Sequence, residues 1–208
     1  RTAGPSIAAG KGALAYLLRS IGTDSHRLPH TGSLRYTEHA PQIPALALSN
    51  PDADQVERIL ADRGGLVVKL LVETSLIPTA QSANVIAEIR GHAAPEEVVV
   101  IGAHLDSWDL GTGAVDDGAG VGITMAAMAL IKEAGLVPRR TIRLVLWGAE
   151  EVGLLGAFAY AKQHEANLHN HVVATESDFG AQTIWRLDSN VNPQATLLVD
   201  EIGKILSP

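Results

Sequence analysis

The stretch VVVIGAH, residues Val98–His104, is an uninterrupted apolar segment that ends in a histidine. Apolar and polar side chains do not alternate along it, so we predict a strand that is buried on both faces. Two further apolar strands are predicted downstream, at Thr141–Trp147 and His171–Glu176, and helix-like segments separate them. Strands that alternate with helices indicate an α/β fold with a mixed, mainly parallel sheet flanked by helices.

The predicted elements divide the chain into two parts that meet near residue 82. In residues 1–82, prolines separate short apolar pieces, and one helix is predicted at Asp52–Arg63. We expect a small β-rich or α+β module there and an α/β domain at residues 83–208. The other predicted elements of this domain are strands at Asn84–Arg90 and Ile184–Leu187, and helices at Asp117–Ala134, Gly153–Asn167 and Pro193–Leu206.

Composition excludes several classes of function. The chain has 208 residues and a formal net charge of -7, which argues against a nucleic-acid partner because phosphate binding requires a basic face. It has no cysteine, so any metal site must use histidine and carboxylate ligands. The longest apolar-rich run without charge, Gly118–Ile131, suits a buried core helix better than a membrane span.

Polar side chains follow three of the predicted strands. His104, the pair Glu150-Glu151 and Asp178 each come at or just after the carboxyl end of an apolar strand. In an open α/β sheet, ligands bind beyond the carboxyl ends of the strands. We therefore expect these side chains to face one crevice.

Taken alone, each feature also fits an ordinary structure: a histidine at a strand end, an aspartate at a helix N-terminus, or adjacent acids on a solvated surface. Taken together, they favour a chemical role. If the strand continues past His104, Asp106 shares its face and its carboxylate accepts a hydrogen bond from the second ring nitrogen of His104. In GAVDDGAG, one of Asp116 and Asp117 caps the following helix and the other faces the crevice.

The two adjacent acids diverge in direction, so one of Glu150 and Glu151 binds a metal while the other acts as a general base. Asp178 alone is typical of a turn. His164, His169 and His171 are interpreted as surface or packing residues, as are His26, His30, His39 and His92.

The motifs HLDSWD, GAVDDGAG, LVLWGAEEVGLLGA and ESDFG together resemble the M28 metallopeptidases, and more closely their carboxypeptidase Q group. The resemblance implies a zinc-peptidase fold at 83–208 and part of a β-rich protease-associated domain at 1–82. It implies two zinc ions that Asp116 bridges. It also implies that the peptide bond between Asp116 and Asp117 is cis. The other implied roles are metal ligation by His104, Asp178 and Glu151, catalysis by Glu150 as general base, and orientation of His104 by Asp106.

The same resemblance implies a substrate class, an oligomeric state, a location and a missing metal ligand. It implies hydrolysis of short peptides or dipeptides, a homodimer, and a secreted, periplasmic or lysosomal location. Family members take one more histidine ligand after the ESD motif, and no histidine follows His171 here. We therefore expect a fragment with one complete and one incomplete zinc position, and weak or absent activity. The alternatives are a non-enzymatic relative on the same fold and a single-zinc acyltransferase resembling glutaminyl cyclases.

Overall fold

The computed structural model describes residues 3–75, 77, 79–178, 180–184 and 186–206. Short 3₁₀ helices at Glu165–Asn170 and Pro193–Ala195 accompany the main elements. In chain order the main elements are α1 (Gly4–Gly10), β1 (Tyr16–Arg19), β2 (Ala45–Leu48), α2 (Asn50–Arg63), β3 (Val85–Ile89), β4 (Ala94–His104), α3 (Gly118–Glu133), β5 (Arg140–Trp147), α4 (Leu155–Gln163), β6 (His171–Glu176) and α5 (Thr196–Leu206).

The main sheet has four strands in the order β3-β5-β4-β6. β4 pairs in parallel with both β5 and β6, whereas β3 is antiparallel to β5. This is the mixed, mainly parallel sheet that the sequence predicts. His104 pairs with Trp147 at the carboxyl end of the central strands, so the residues that follow β4, β5 and β6 emerge at one edge.

Both faces of the central strands carry core residues, because alternate side chains of a strand point to opposite sides. On one face, Val100, Val145 and Trp147 pack with Tyr160 of α4. On the other face, Ala103, Leu144 and Leu146 pack with partly buried residues of α3. The burial expected for VVVIGAH is therefore confirmed at the centre of the sheet.

Helix α3 covers the sheet with one face only. Asp117 caps its first turn by accepting a hydrogen bond from the N–H of Gly120, and Thr124 is buried near that end. Ile123, Met125 and Leu130 are exposed. The expectation of a fully buried core helix was wrong, because only one stripe of α3 faces β4 and β5. No helix within the described part of the chain is long and apolar enough to cross a membrane.

The first module is mixed rather than β-rich. β1 and β2 form a two-stranded parallel sheet, and α2 follows directly. The Oγ of Ser49 accepts a hydrogen bond from the N–H of Asp52 at the start of α2. The predicted helix Asp52–Arg63 ends at the same residue as α2 and begins two residues later. Between residues 65 and 84, the described residues contain no helix or strand. The assignment of this module to a protease-associated domain stays a prediction.

Two predicted elements differ from the structure. Helix α4 is shorter than the predicted Gly153–Asn167, because Gly153 has a φ of 129° and the helix ends at Gln163. The predicted strand Ile184–Leu187 was wrong for the residues that the structure describes, since Ile184, Arg186 and Leu187 lie outside any strand. Trp185 lies outside the described residues.

Candidate metal and catalytic site

His104 is the centre of the site and is 1% exposed. Its Nδ1 lies 2.8 Å from the backbone carbonyl oxygen of Asp106, and its Nε2 lies 2.9 Å from Oδ1 of Asp116. The expectation that the carboxylate of Asp106 accepts the hydrogen bond from His104 was wrong, because the strand ends at His104 and the chain turns. That carboxylate lies 3.9 Å from Nδ1 and instead accepts from the N–H groups of Glu150 (2.8 Å) and Glu151 (3.1 Å).

The hydrogen bond to the Asp106 carbonyl fixes the chemistry of the other ring nitrogen of His104. A carbonyl oxygen only accepts, so Nδ1 must carry a proton. In a neutral ring, Nε2 would then direct its lone pair at the carboxylates of Asp116 (2.9 Å) and Asp178 (3.8 Å). Either a second proton or a metal cation removes this repulsion.

The neighbouring groups determine how tightly His104 holds a second proton. Burial lowers the pKa of His104, whereas the hydrogen bond to the Asp106 carbonyl raises it. Nearby carboxylates raise the pKa further, so that the net pKa lies above the ordinary value of histidine; these neighbours are Asp117, Glu150 and Asp178. A proton on Nε2 of His104 therefore competes with a metal ion for the same position.

Asp116 and Asp117 divide two tasks, as the sequence predicts. Their peptide bond is cis. Asp117 is buried, and its Oδ1 accepts from the N–H of Gly120 (3.1 Å) while its Oδ2 accepts from the N–H of His104 (2.9 Å). Burial raises the pKa of Asp117, and the hydrogen bond from His104 opposes that rise. Asp117 thus joins α3 to the end of β4 and leaves Asp116 to face His104.

His104, Asp116 and Asp178 form a group of potential metal ligands. Each offers one ligand atom, and these atoms all lie within 4.8 Å of one another. The segment after β6 is held against the sheet by a hydrogen bond from the N–H of Ser177 to the carbonyl of Gly102 (2.9 Å). One imidazole and two carboxylates are ligands that zinc accepts, so these residues fit the ion.

Glu150 and Glu151 lie in the turn between β5 and α4. Oε2 of Glu150 is 4.0 Å from Nε2 of His104. Burial raises the pKa of Glu150, and nearby carboxylates such as Asp178 add to the rise while His104 opposes it. Burial, followed by the charge of Asp116, raises the pKa of Glu151. Within the described residues, Glu151 does not join the group of three ligands.

Glu176 is a residue of the site that the sequence interpretation missed. It is the last residue of β6, and the residue as a whole is exposed although its carboxyl group lies among other acids of the site. Burial of its carboxyl group, and then the negative charges of Glu150 and Asp178, raise its pKa to about 7. The sequence could have indicated Glu176 as a site residue, because it lies at a strand end two residues before Asp178.

The remaining histidines of the second half do not join the metal group. The ring of His164 packs against Tyr160 with centroids 4.3 Å apart and a tilt of 43°, and Nε2 of His171 lies 2.8 Å from the hydroxyl of Tyr160. These contacts confirm a packing role for His164 and His171.

A buried histidine and several carboxylates at the carboxyl edge of a mixed α/β sheet form a possible metal site, with ligand types that metal-dependent hydrolases use. Residues 84–200 match the family model described as "Peptidase family M28". The chain belongs to this family.

The similar proteins agree with this membership. The chain is 41% identical over 208 residues to human carboxypeptidase Q and 41% identical over 209 residues to that of Xenopus laevis. The crystal structure of a peptidase M28 precursor from Shewanella amazonensis is 48% identical, covers 97% of this chain and superposes with a TM-score of 0.78. The chain spans 44% of the length of these curated relatives and 46% of that crystal chain.

Proposed function

We propose that this chain carries the metal-binding part of a zinc peptidase that hydrolyses short peptides from their free amino end or as dipeptides. The observation that supports this most directly is the group formed by His104, Asp116 and Asp178, whose ligand atoms lie within 4.8 Å of one another. The names of the relatives, carboxypeptidase Q and peptidase M28, support the same class of reaction.

In this proposal His104, Asp116 and Asp178 hold one zinc ion, and Asp116 and Glu151 contribute to a second position that is less complete. When bound, zinc acts as a Lewis acid toward the scissile carbonyl and lowers the pKa of water. The carbonyl of Asp106 keeps the proton of His104 on Nδ1 and leaves Nε2 for the metal.

Glu150 is the proposed general base. Its carboxylate takes a proton from the attacking water and delivers it to the nitrogen of the leaving amine, which balances the hydrolysis. Burial raises the pKa of Glu150 toward the operating pH, and this direction favours a group that both accepts and releases a proton. Its amide hydrogen bond to the carboxylate of Asp106 fixes the backbone from which the side chain reaches toward His104.

The test is a hydrolysis assay of the zinc-loaded chain on unblocked dipeptides and on the same dipeptides with an acetylated amine. We expect slow cleavage of the unblocked substrates, its loss on chelation, and a decrease of about 10²–10⁴-fold in Glu150→Gln. Glu133→Gln, at the exposed end of α3, is the matched control and should keep the wild-type rate.

A measurable wild-type rate that Glu150→Gln does not lower would refute Glu150 as the general base. A wild type that neither binds zinc nor hydrolyses the dipeptides would refute the peptidase and leave the non-enzymatic relative. Cyclisation of peptides with N-terminal glutamine, without hydrolysis, would instead identify the acyltransferase alternative. The homodimer and the secreted, periplasmic or lysosomal location stay predictions from the resemblance.

A further inference from the structure

The turn that carries Glu150 and Glu151 has an unusual backbone. We call residues 148–156 the glutamate loop. Ala149 and Leu154 lie in the left-handed region with φ of 56° and 58°, where a side chain crowds the backbone. Such a conformation persists only where surrounding contacts determine it.

Backbone hydrogen bonds close the glutamate loop, from the N–H of Gly156 to the carbonyl of Gly148 (2.9 Å) and from the N–H of Leu155 to the carbonyl of Ala149 (3.0 Å). Two side chains from outside the loop hold it in addition. The carboxylate of Asp106 accepts from the amides of the two glutamates. At the ends, the side chain of Asn84 uses both of its polar atoms: Oδ1 accepts from the N–H of Gly148 (3.0 Å), and Nδ2 donates to the carbonyl of Gly156 (2.9 Å). Asn84 therefore joins the first and last residues of the loop.

The two glycines are needed for this approach. A Cβ on Gly156 would lie 2.3 Å from Oδ1 of Asn84 and 2.5 Å from the carbonyl oxygen of Gly148. A Cβ on Gly148 would lie 2.7 Å from the carbonyl oxygen of Ala83. Gly148 is buried, so its N–H would lose its hydrogen-bond partner if the side chain of Asn84 were removed.

We infer that Asn84 is a positioning residue that sets where Glu150 and Glu151 stand relative to His104. Through the glutamate loop, Asn84 acts on the general base and on the less complete metal position. The described hydrogen bonds of its side chain go to Gly148 and Gly156, and none goes to His104, Asp116 or Asp178. The catalytic part of this inference rests on the proposed function.

The two informative variants are Asn84→Asp and Asn84→Ala. Asn84→Asp keeps the acceptor for Gly148 and loses the donor to Gly156, and Asn84→Ala loses both. The matched controls are Asn192→Asp and Asn192→Ala, because Oδ1 of Asn192 also accepts from a backbone N–H, that of Ala195, outside the site. If Asn84→Ala fails to fold, Asn84→Asp carries the test.

Three quantities are measured on the full 208-residue chain: hydrogen exchange of the amides at 148–156, the Kd for zinc, and kcat and KM on an unblocked dipeptide. We expect amide exchange in the loop to accelerate about tenfold. We expect kcat to fall about 10–100-fold with KM within about threefold, as for other partners that hold a catalytic group in place. Zinc affinity at the group of three should stay within about threefold, and the Asn192 variants should match the wild type.

Unchanged exchange at 148–156 in both Asn84 variants would overturn the inference, whatever the activity. Faster exchange with a wild-type kcat would overturn the positioning role. Loss of zinc affinity together with kcat would also overturn it, because a general structural defect would then explain both. Faster exchange in a chain whose wild type neither binds zinc nor hydrolyses the dipeptide would support the hold on the loop and refute the proposed function instead.

Discussion

Nε2 of His104 lies 2.9 Å from Oδ1 of Asp116, and the other ring nitrogen of His104 is committed to a backbone carbonyl. The imidazole is 1% exposed and sits at the end of the central strand, so its orientation is fixed by the fold. A metal ion bound between His104 and Asp116 would have to displace a proton, so we expect zinc binding to depend on pH.

We predict that zinc affinity weakens as the pH falls. The pKa of His104 is raised, so that its proton competes with zinc at a higher pH than for an ordinary histidine. Below that pKa, affinity should fall by about tenfold per pH unit, since one proton must leave for each zinc bound. Competition with a chelator between pH 5.5 and 8 measures the slope, and an affinity independent of pH would contradict this account.

Replacing Asp106 should affect the glutamate loop and leave zinc binding at His104 intact. Asp106→Ala removes the charged acceptor of two backbone amides, which should cost about 1–3 kcal/mol in the free energy of unfolding. The carbonyl of residue 106 remains for His104. Urea unfolding and zinc titration measure the two effects, with Asp109→Ala, exposed in the same loop, as control. A large loss of zinc affinity would show that the carboxylate orients His104 after all.

Two glycines on α3 should respond in opposite directions to alanine. A Cβ on Gly120 would lie 2.1 Å from the carbonyl oxygen of Ser177 and 2.2 Å from Oδ1 of Asp117. Gly120→Ala should therefore destabilise the chain by about 1–3 kcal/mol and weaken zinc binding, because it displaces the segment that leads to Asp178.

The matched change is Gly122→Ala, where no atom lies within 4 Å of the added Cβ. It should stabilise the chain by about 0.5–1 kcal/mol, since alanine is the better residue inside a helix. Thermal and urea unfolding of both variants test the pair. Equal effects of the two substitutions would show that Gly120 is not packed against Ser177 as described.

The metal-free chain should lose stability as the pH rises through the range in which Glu176 ionises. Its folded pKa of about 7 lies above the ordinary 4.5, so the folded state binds this proton more tightly than the unfolded state. The stabilising contribution is complete below about pH 4.5 and is lost as the pH passes about 7. The raised pKa values of Glu150 and Glu151 act in the same direction.

Urea unfolding at pH 5 and pH 8 in the presence of a chelator measures this dependence. Glu176→Gln should flatten it, whereas Glu57→Gln, exposed on α2, should not. A chain that becomes more stable on going from pH 5 to pH 8 would have the opposite sign and would contradict the arrangement of carboxyl groups at the site.

The apolar strands and their order along the chain could be predicted because burial on both faces leaves a continuous apolar pattern, as in VVVIGAH. The division of labour between Asp116 and Asp117 was also predictable, since only one of two adjacent acids can cap α3. Both predictions depend on local pattern and on the rule that parallel strands end at the same edge.

Contacts between distant residues could not be predicted in this way. The role of Asp106 was misassigned because the spacing of two residues assumes that the strand continues, while β4 ends at His104. The hydrogen bonds of Asn84 to Gly148 and Gly156 join residues that are 64 and 72 positions apart, so no local sequence pattern indicates them. Glu176 was not predicted as a site residue, because its raised pKa depends on carboxylates that only the folded sheet brings near it.

The most direct test of the central claim is the zinc content of the purified chain after zinc loading and buffer exchange, measured by elemental mass spectrometry. Three convergent ligands predict about one zinc per chain in the wild type and about none in His104→Ala. His92→Ala, which removes an exposed histidine outside the group, should keep the wild-type content. No zinc in the wild type, or equal zinc in the wild type and His104→Ala, would contradict the claim that His104, Asp116 and Asp178 form the metal site.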